Sequence, residues 1–125
     1  MEHYRLAEGE YRFASIVWEN EPVPSGRLAE LCLSRLGWKK STTYTVLKKL
    51  TERGILRNEN AVVTSLVPRE QVQQAESQAL IDHTFGGSLP SFLTAFMGGR
   101  TIPDQEAEEL KALIDRFREG GKNHD

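Results

Sequence analysis

Apolar side chains recur at helical spacing in six stretches of the chain, separated by glycines, prolines and polar turns. One face of a helix is apolar wherever such residues fall at i, i+3, i+4 and i+7. We predict helices at residues 8–20, 25–36, 41–53, 69–85, 89–97 and from residue 103 onward. Ser25, Ser41 and Ser88 are expected to cap three of them, because serine is common at the N-cap. Gly54 is the expected left-handed end of the third helix.

The pattern changes between the third and fourth predicted helices. Residues 55–57 are mainly apolar and residues 61–67 are rich in β-branched side chains, which is typical of two short strands. A polar turn at residues 58–60 joins them. Residues 21–24 contain two prolines and are expected to form a stiff, extended connector. Three helices followed by a hairpin predict a winged helix-turn-helix domain, so the expected fold class is mainly α with a small β-hairpin.

The third predicted helix carries hydroxyls, a tyrosine and lysines on its polar face. From Arg35 to Arg57 the chain holds seven Lys and Arg and one Glu, a local charge of +6 in a protein of formal net charge −2. A short helix of this kind suits the major groove of DNA. We therefore predict a DNA-binding domain at residues 1–68. Its predicted DNA contacts are Lys39, Lys40, Ser41, Thr42, Tyr44, Thr45, Lys48, Lys49, Arg53 and Arg57.

The polar face divides by chemistry into two expected roles. Tyr44, Thr45 and Lys48 are expected to reach base edges or groove walls. Lys40 and Lys49 are expected to bind phosphates. The hairpin has one arginine and no lysine, so it offers little positive charge. The alternative interpretation is a surface helix whose lysines are merely solvated.

The rear 58 residues are acidic overall and hold three amphipathic helices. A segment this short can bury little apolar surface by itself. We therefore expect its apolar stripes to pack against a second copy of the chain. The sequence therefore predicts a three-helix dimerisation domain at residues 69–125; the alternative is that these helices fold back on the front of the chain. The predicted dimer contacts are Phe92, Leu93, Phe96, Met97, Leu110, Leu113, Ile114 and Phe117.

Several classes of function are disfavoured by what the sequence lacks. It has no glycine-rich phosphate loop, nucleophile elbow or paired-histidine metal motif, so we expect no enzyme activity, no cofactor and no metal site. Its one cysteine, Cys32, falls on the apolar stripe of the second helix and is expected to be core, with a redox or metal role as the alternative. No apolar run reaches about 18 residues, so no membrane span is expected. Without an export signal, we expect the protein in the cytoplasm.

Motifs along nearly the whole chain resemble those of the penicillinase-repressor family, the BlaI/MecI/CopY-type winged-helix transcriptional regulators. Glu10 and Trp18 match the spacing of a glutamate and a tryptophan near the start of that family. A second tryptophan, Trp38, precedes a Thr-x-x-Thr-x-Leu-x-Lys-Leu helix that begins at Thr42 and ends at Gly54. Three further matching segments follow in the family's order, at residues 65–67, 85–89 and 102–106.

The resemblance implies a homodimeric repressor that binds a palindromic operator in double-stranded DNA, ahead of β-lactam-resistance or copper-homeostasis genes. In the β-lactam branch, a membrane sensor protease encoded nearby leads to cleavage within the dimerisation domain. The resemblance places the corresponding bond near Ala95 and Phe96, and Ala95 replaces the family's asparagine. The cysteine cluster that marks the copper branch is absent, so the β-lactam-resistance type is the expected one.

Two other functions stay open on the sequence. A winged-helix regulator of other genes could be relieved by a small molecule or a protein partner. The same fold could also serve as an interaction module that does not bind DNA, although the local charge of +6 argues against this. The identity of the neighbouring genes would best discriminate between these functions, because an adjacent gene for a sensor protease would identify the signalling branch.

Overall fold

Six helices and three short strands follow one another in residues 4–123, which are the residues described by the structure, a computed structural model with side chains described to residue 118. By internal contacts the chain divides into two units, Met1–Gly87 and Ser88–Asp125. The elements of the first unit are α1 Glu8–Asn20, β1 Val23–Pro24, α2 Ser25–Leu36, α3 Lys40–Glu52, β2 Leu56–Glu59, β3 Val62–Ser65 and α4 Arg69–Phe85. Those of the second are α5 Leu89–Phe96 and α6 Asp104–Asn123. No helix in the described part of the chain is both long and apolar enough to cross a membrane.

The predicted helices are confirmed, but two of the three expected serine caps are wrong. Ser88 caps α5, since its Oγ accepts a hydrogen bond from the Ser91 N–H at 3.1 Å. The N-caps of α2 and α3 are Pro24 and Lys39, whose extended backbones start each helix without a side-chain hydrogen bond. The expected left-handed conformation of Gly54 is confirmed, with φ at +78°.

A third strand, which the sequence did not reveal, completes the sheet. The strand order is β1–β3–β2, and both pairs are antiparallel. Val23 pairs with Val63, so the segment expected to be only a connector forms the sheet edge. Pro24 is tolerated there because an edge strand need not donate every N–H to a neighbour. A strand of two residues carries too little alternation to be recognised from sequence.

The core of the first unit lies where the apolar stripes of α1, α2 and α3 meet the sheet. Its largest fully buried side chains are Phe13, Val17, Leu28, Cys32, Thr43, Leu50, Ile55, Leu56, Val63 and Val72. The core position predicted for Cys32 is therefore confirmed. Burial raises the pKa of the Cys32 thiol, an effect that the neighbouring Thr43 hydroxyl offsets in part.

The start of α4 packs against the winged helix. Val72 and Ala75 are buried, and Glu76 Oε2 accepts a hydrogen bond from the Leu6 N–H at 3.1 Å. The first unit therefore includes α4 and ends at Gly87, whereas the functional boundary expected from the sequence follows Pro68. The assignment of DNA binding to residues 1–68 and of dimerisation to residues 69–125 stays a prediction.

The second unit leaves much of its apolar surface open. No residue of α5 is buried. The Phe92 and Phe96 rings stack with centroids 5.9 Å apart, yet Phe96 is 52% exposed. The other predicted dimer contacts that are exposed are Leu93, Leu113, Ile114 and Phe117, and those that are half-buried are Phe92, Met97 and Leu110. Within the single chain, the two predicted stripes are thus only partly covered.

One core residue allows a direct test of this packing. Thr43 Oγ1 is buried beside the Cys32 thiol, a weak partner, and forms no hydrogen bond of good geometry with any described residue. Thr43→Val should raise the free energy of unfolding by roughly 1 kcal/mol, because a methyl group of similar shape replaces an unsatisfied hydroxyl. Urea denaturation would measure the change. The exposed Thr42 is the matched control, and Thr42→Val should change stability by less than about 0.5 kcal/mol. A less stable Thr43→Val protein would show that the hydroxyl is satisfied.

Candidate nucleic-acid interface

α3 is the outer member of a helix-turn-helix pair with α2. The turn between them contains Gly37, which takes a left-handed φ of +71°. Trp38 follows, and its ring stacks on Phe13 of α1 with centroids 5.8 Å apart. The side chains that α3 buries are Thr43, Leu47 and Leu50. The opposite side of α3 therefore projects into solvent.

That exposed side carries most of the predicted DNA contacts. Its exposed residues are Lys39, Lys40, Ser41, Thr42, Thr45, Lys48 and Lys49. The Thr45 hydroxyl donates to the Ser41 carbonyl at 2.9 Å, so it presents acceptor lone pairs and a methyl group to a ligand. Lys40 and Lys48 form no ion pair with any described residue, so their charges are available to an anion.

Tyr44 lies at the edge of this face. Its side chain is half-buried, and its hydroxyl lies 3.5 Å from Ser25 Oγ at the start of α2. It lines a shallow groove of about 340 Å³ together with Lys48 and Asn58. Tyr44 therefore faces the space between α2, α3 and the hairpin. Its ring is less exposed than we expected from its position on the polar face of the helix.

Two of the predicted contacts, Lys49 and Arg53, are held by a carboxylate on α1. Glu10 Oε2 lies 2.9 Å from Lys49 Nζ, and Glu10 Oε1 lies 3.3 Å from Arg53 Nη1. Glu10 Oε1 also accepts a hydrogen bond from the Ala7 N–H at 2.8 Å. Arg53 Nη2 in turn donates to the Arg5 carbonyl at 2.6 Å. These contacts join α1 and the segment before it to the last turns of α3, and we name them the Glu10 cluster.

Charge and burial make the Glu10 cluster unusual. The Glu10 side chain is 11% exposed, whereas that of Lys49 is 63% exposed. Burial by itself raises the pKa of Glu10, but the hydrogen bonds from Lys49 and Ala7 and the charges of Lys49 and Arg53 outweigh it. The pKa of Glu10 is therefore held below its ordinary value, and the carboxylate is charged at neutral pH.

Sequence reasoning missed this role of Glu10. The residue served there only as a marker of the family pattern. It falls three, four and seven residues before Phe13, Ala14 and Val17, all of which are buried. An acid on a buried helix stripe indicates that a cation must approach from a neighbouring element, and this is the signal that could have found the cluster.

The wing formed by β2 and β3 is short and nearly uncharged. The turn predicted at residues 58–60 is wrong, because Asn58 and Glu59 pair with β3 as part of β2. The turn is instead formed by Asn60 and Ala61, whose φ values of +53° and +63° are typical of a type I′ hairpin. Arg57 and Glu59 are both exposed on β2. Their opposite charges leave the wing with little net attraction for phosphates, so α3 is the main cationic element of the face.

The predicted cleavage site lies in the second unit. Ala95 and Phe96 occupy the last turn of α5, and both are exposed. The Arg100 guanidinium lies over the Phe96 ring, 4.8 Å from its centroid. The bond between Ala95 and Phe96 therefore lies at the end of α5, so a protease would need to unwind only the last turn of this helix to reach it.

Comparisons with known proteins match the chain over nearly its whole length. The family described as penicillinase repressor matches residues 6–116. The methicillin resistance regulatory protein MecI of Staphylococcus epidermidis is 20% identical over 117 residues, which cover 90% of this chain and 95% of that protein. An uncharacterised 16.5 kDa protein encoded in the ptsI 3′ region of Latilactobacillus sakei is 25% identical over 113 residues, covering 87% of this chain and 77% of that protein.

The Glu10 cluster predicts a specific dependence of stability on pH. Glu10→Gln keeps an oxygen for the Ala7 N–H but removes the charge, so it should lower the free energy of unfolding by about 1–3 kcal/mol at neutral pH. Because the folded-state pKa of Glu10 is lowered, this contribution is present above the unfolded-state pKa and is lost as pH falls through the folded-state pKa. The difference between wild type and variant should therefore shrink towards acid pH in a series of urea denaturation curves.

Glu19 supplies the control for this experiment. It pairs with Arg35 and Arg69, but its side chain is 53% exposed. Exposed pairs contribute little, so Glu19→Gln should change stability by less than about 1 kcal/mol at any pH. A Glu10→Gln difference that stays the same from neutral to acid pH would contradict the assigned electrostatic role.

Proposed function

Because the chain belongs to the penicillinase repressor family, we propose that it is a DNA-binding transcriptional repressor that acts as a homodimer on a palindromic operator. The observation that carries this proposal is the exposed face of α3, the outer helix of a helix-turn-helix pair, which we call its free face. There the Ser41 and Thr45 hydroxyls stand beside Lys40 and Lys48, and these two lysines form no ion pair within the part of the chain that the structure describes. A helix of this size fits the major groove of B-DNA, which is about 12 Å wide.

The chemistry of the free face supports separate base and phosphate contacts. Thr45 offers acceptor lone pairs and a methyl group, which suit the amino groups of adenine or cytosine and the methyl group of thymine. Ser41, one turn earlier, adds a hydroxyl. Lys40 and Lys48 supply free positive charge for phosphates. The N-cap of α3 has no side-chain hydrogen bond, so backbone N–H groups of its first turn are also open to a phosphate oxygen.

The open apolar stripes of the second unit support dimerisation. Large apolar side chains such as Phe96 and Phe117 contribute roughly 1.5–3 kcal/mol each when they are removed from water. A second copy of the chain would cover both stripes and supply a second α3 for DNA binding. One α3 reads one half-site, and tethering two of them raises the affinity for a full operator.

Release of the operator by proteolysis fits the position of the proposed cleavage bond. MecI is a methicillin resistance regulatory protein, and we extend that type of regulation to this chain, with a membrane sensor protease as the upstream partner. Hydrolysis between Ala95 and Phe96 would separate α6 from α5. The dimer would then lose the apolar side chains that α6 contributes.

A groove in the first unit supports a second release signal, a small molecule. The groove measures about 860 Å³, within the usual size range of small-molecule sites. It lies between the start of α1 and the middle of α4. Its lining residues include Arg5, Leu6, Tyr11, Arg12, Leu80 and His83. An effector bound there would press on the contact between Leu6 and Glu76, which joins the N-terminal segment to α4.

DNA recognition is tested by selecting duplexes from a random pool with the purified protein. We expect enrichment of two inverted half-sites whose centres are about 10 base pairs, or a multiple of that, apart. Thr45→Ala should relax the preference at one base position in each half-site, by about 1–3 kcal/mol of discrimination. A pool that shows no enriched sequence after selection would refute specific DNA recognition.

Dimerisation is tested by placing a charge in the open stripe of α5. Phe96→Asp should yield a monomer in sedimentation and weaken binding to the selected operator by at least tenfold, because a carboxylate cannot be buried unpaired between two copies. Thr94→Asp is the control, since Thr94 is exposed on the opposite side of α5 and should leave the dimer intact. A Phe96→Asp protein that remains dimeric, or a wild-type protein that is monomeric at micromolar concentration, would contradict the proposed interface.

A further inference from the structure

We infer that Glu10 is a positioning residue that withholds Lys49 from DNA, so that adjacent lysines of α3 have different roles. Lys48 binds the phosphate backbone, whereas Lys49 fixes α3 to α1. This inference rests on the proposed DNA-binding function. It replaces the phosphate-binding role that the sequence suggested for Lys49, and it narrows the base-edge or groove-wall role suggested for Lys48 to a phosphate contact at the groove wall. It also assigns a function to an acid that lies outside the groove-facing surface.

The contact distances explain why Lys49 stays with Glu10. Lys49 Nζ lies 2.9 Å from Glu10 Oε2, a charge-assisted contact to a carboxylate that is largely removed from water. Moving Lys49 to a phosphate would leave that carboxylate with fewer partners. Breaking one side of a buried charge pair is more costly than an exposed ion pair is stabilising. The phosphate therefore competes poorly for this ammonium group.

Lys48 has no such restraint. It is exposed and forms no ion pair with any residue that the structure describes. Successive residues on an α-helix point about 100° apart, so one position separates a lysine beside α1 from a lysine directed at solvent. The two side chains have the same chemistry, but only Lys48 is available to bind a phosphate. They are therefore a matched pair for experiment.

Withholding Lys49 favours discrimination between DNA sequences. A lysine that binds phosphate strengthens binding to every sequence equally. Keeping one such charge out of the interface lowers non-specific affinity without removing a base contact. The same bonds, together with Arg53 on Glu10, hold the last turns of α3 against α1 and fix its rotation about its own axis. The face that bears Ser41 and Thr45 therefore keeps one orientation.

The test compares the salt dependence of binding to a fluorescently labelled, mixed-sequence duplex. Lys48→Gln should reduce the slope of log affinity against log salt concentration by about 0.9 for each bound subunit. Lys49→Gln should leave that slope unchanged. Lys48→Gln breaks no ion pair with any described residue. Lys49→Gln removes one partner of Glu10 and should lower stability, but Arg53 and the Ala7 N–H still contact that carboxylate, and circular dichroism would check that the variant is folded. If Lys49→Gln reduces the slope as much as Lys48→Gln does, Lys49 already binds phosphate and the inference is overturned.

Removing the Glu10 charge should strengthen DNA binding, a result that would not be expected if Glu10 only stabilised the fold. Glu10→Gln should strengthen binding to the mixed-sequence duplex and steepen the slope by up to about 0.9 for each subunit. The double variant Glu10→Gln with Lys49→Gln should return the slope to the wild-type value, and Glu19→Gln should not change it. A Glu10→Gln protein that is folded but shows no steeper slope would contradict the inference.

The two proposals fail in different ways. A wild-type protein that binds no duplex at low salt would refute the DNA-binding function itself, and this inference with it. A wild-type protein that binds, with equal losses of slope in Lys48→Gln and Lys49→Gln, would refute only the role of Glu10. If Glu10→Gln does not fold, the comparison of Lys48→Gln with Lys49→Gln still decides the question.

Discussion

Glu10 carries a negative charge into the packed side of α1, where little water can solvate it. The charge persists because Lys49 and Arg53 approach from α3 and the Ala7 N–H approaches from the chain before α1. Satisfying this one carboxylate draws the end of α3 onto α1, while the Trp38 ring on Phe13 secures its beginning. The outward face of α3 is thus set by contacts on its inner side, and a helix held at both ends presents its hydroxyls in one arrangement.

The helices could be predicted from sequence because each repeats its apolar positions over three or more turns. The sheet was harder, since β1 has two residues and its pairing with β3 spans about forty positions of the chain. Glu10 was missed for a different reason: local pattern shows that an acid stands on a buried stripe, but not which distant cation meets it. Lys48 and Lys49 are equivalent in sequence, and only the tertiary contact to α1 separates them.

The two units differ in how their apolar surface is satisfied. In the first unit, α1 to α3, the sheet and the start of α4 close a core that includes Cys32 and Val72. In the second unit, α5 and α6 keep large side chains such as Ile114 and Phe117 open to solvent. If a second copy covers this stripe, as we propose, association also brings two copies of α3 together, and DNA affinity then depends on association. On this proposal, a cut or a charge in α5 would weaken DNA binding although α3 itself is unchanged.

The central claim is that α3 meets DNA through its free face. Its most direct test is the rate at which limited acetylation modifies each lysine, measured by mass spectrometry with and without a saturating duplex. We expect the duplex to slow acetylation of Lys40 and Lys48 on α3 and to leave Lys111 on α6 unaffected. We also expect Lys49 to react more slowly than Lys48 in the free protein, because Glu10 holds its ammonium group. Unchanged rates at Lys40 and Lys48 in the bound protein, with protection at Lys111 instead, would show that α3 does not contact DNA through this face.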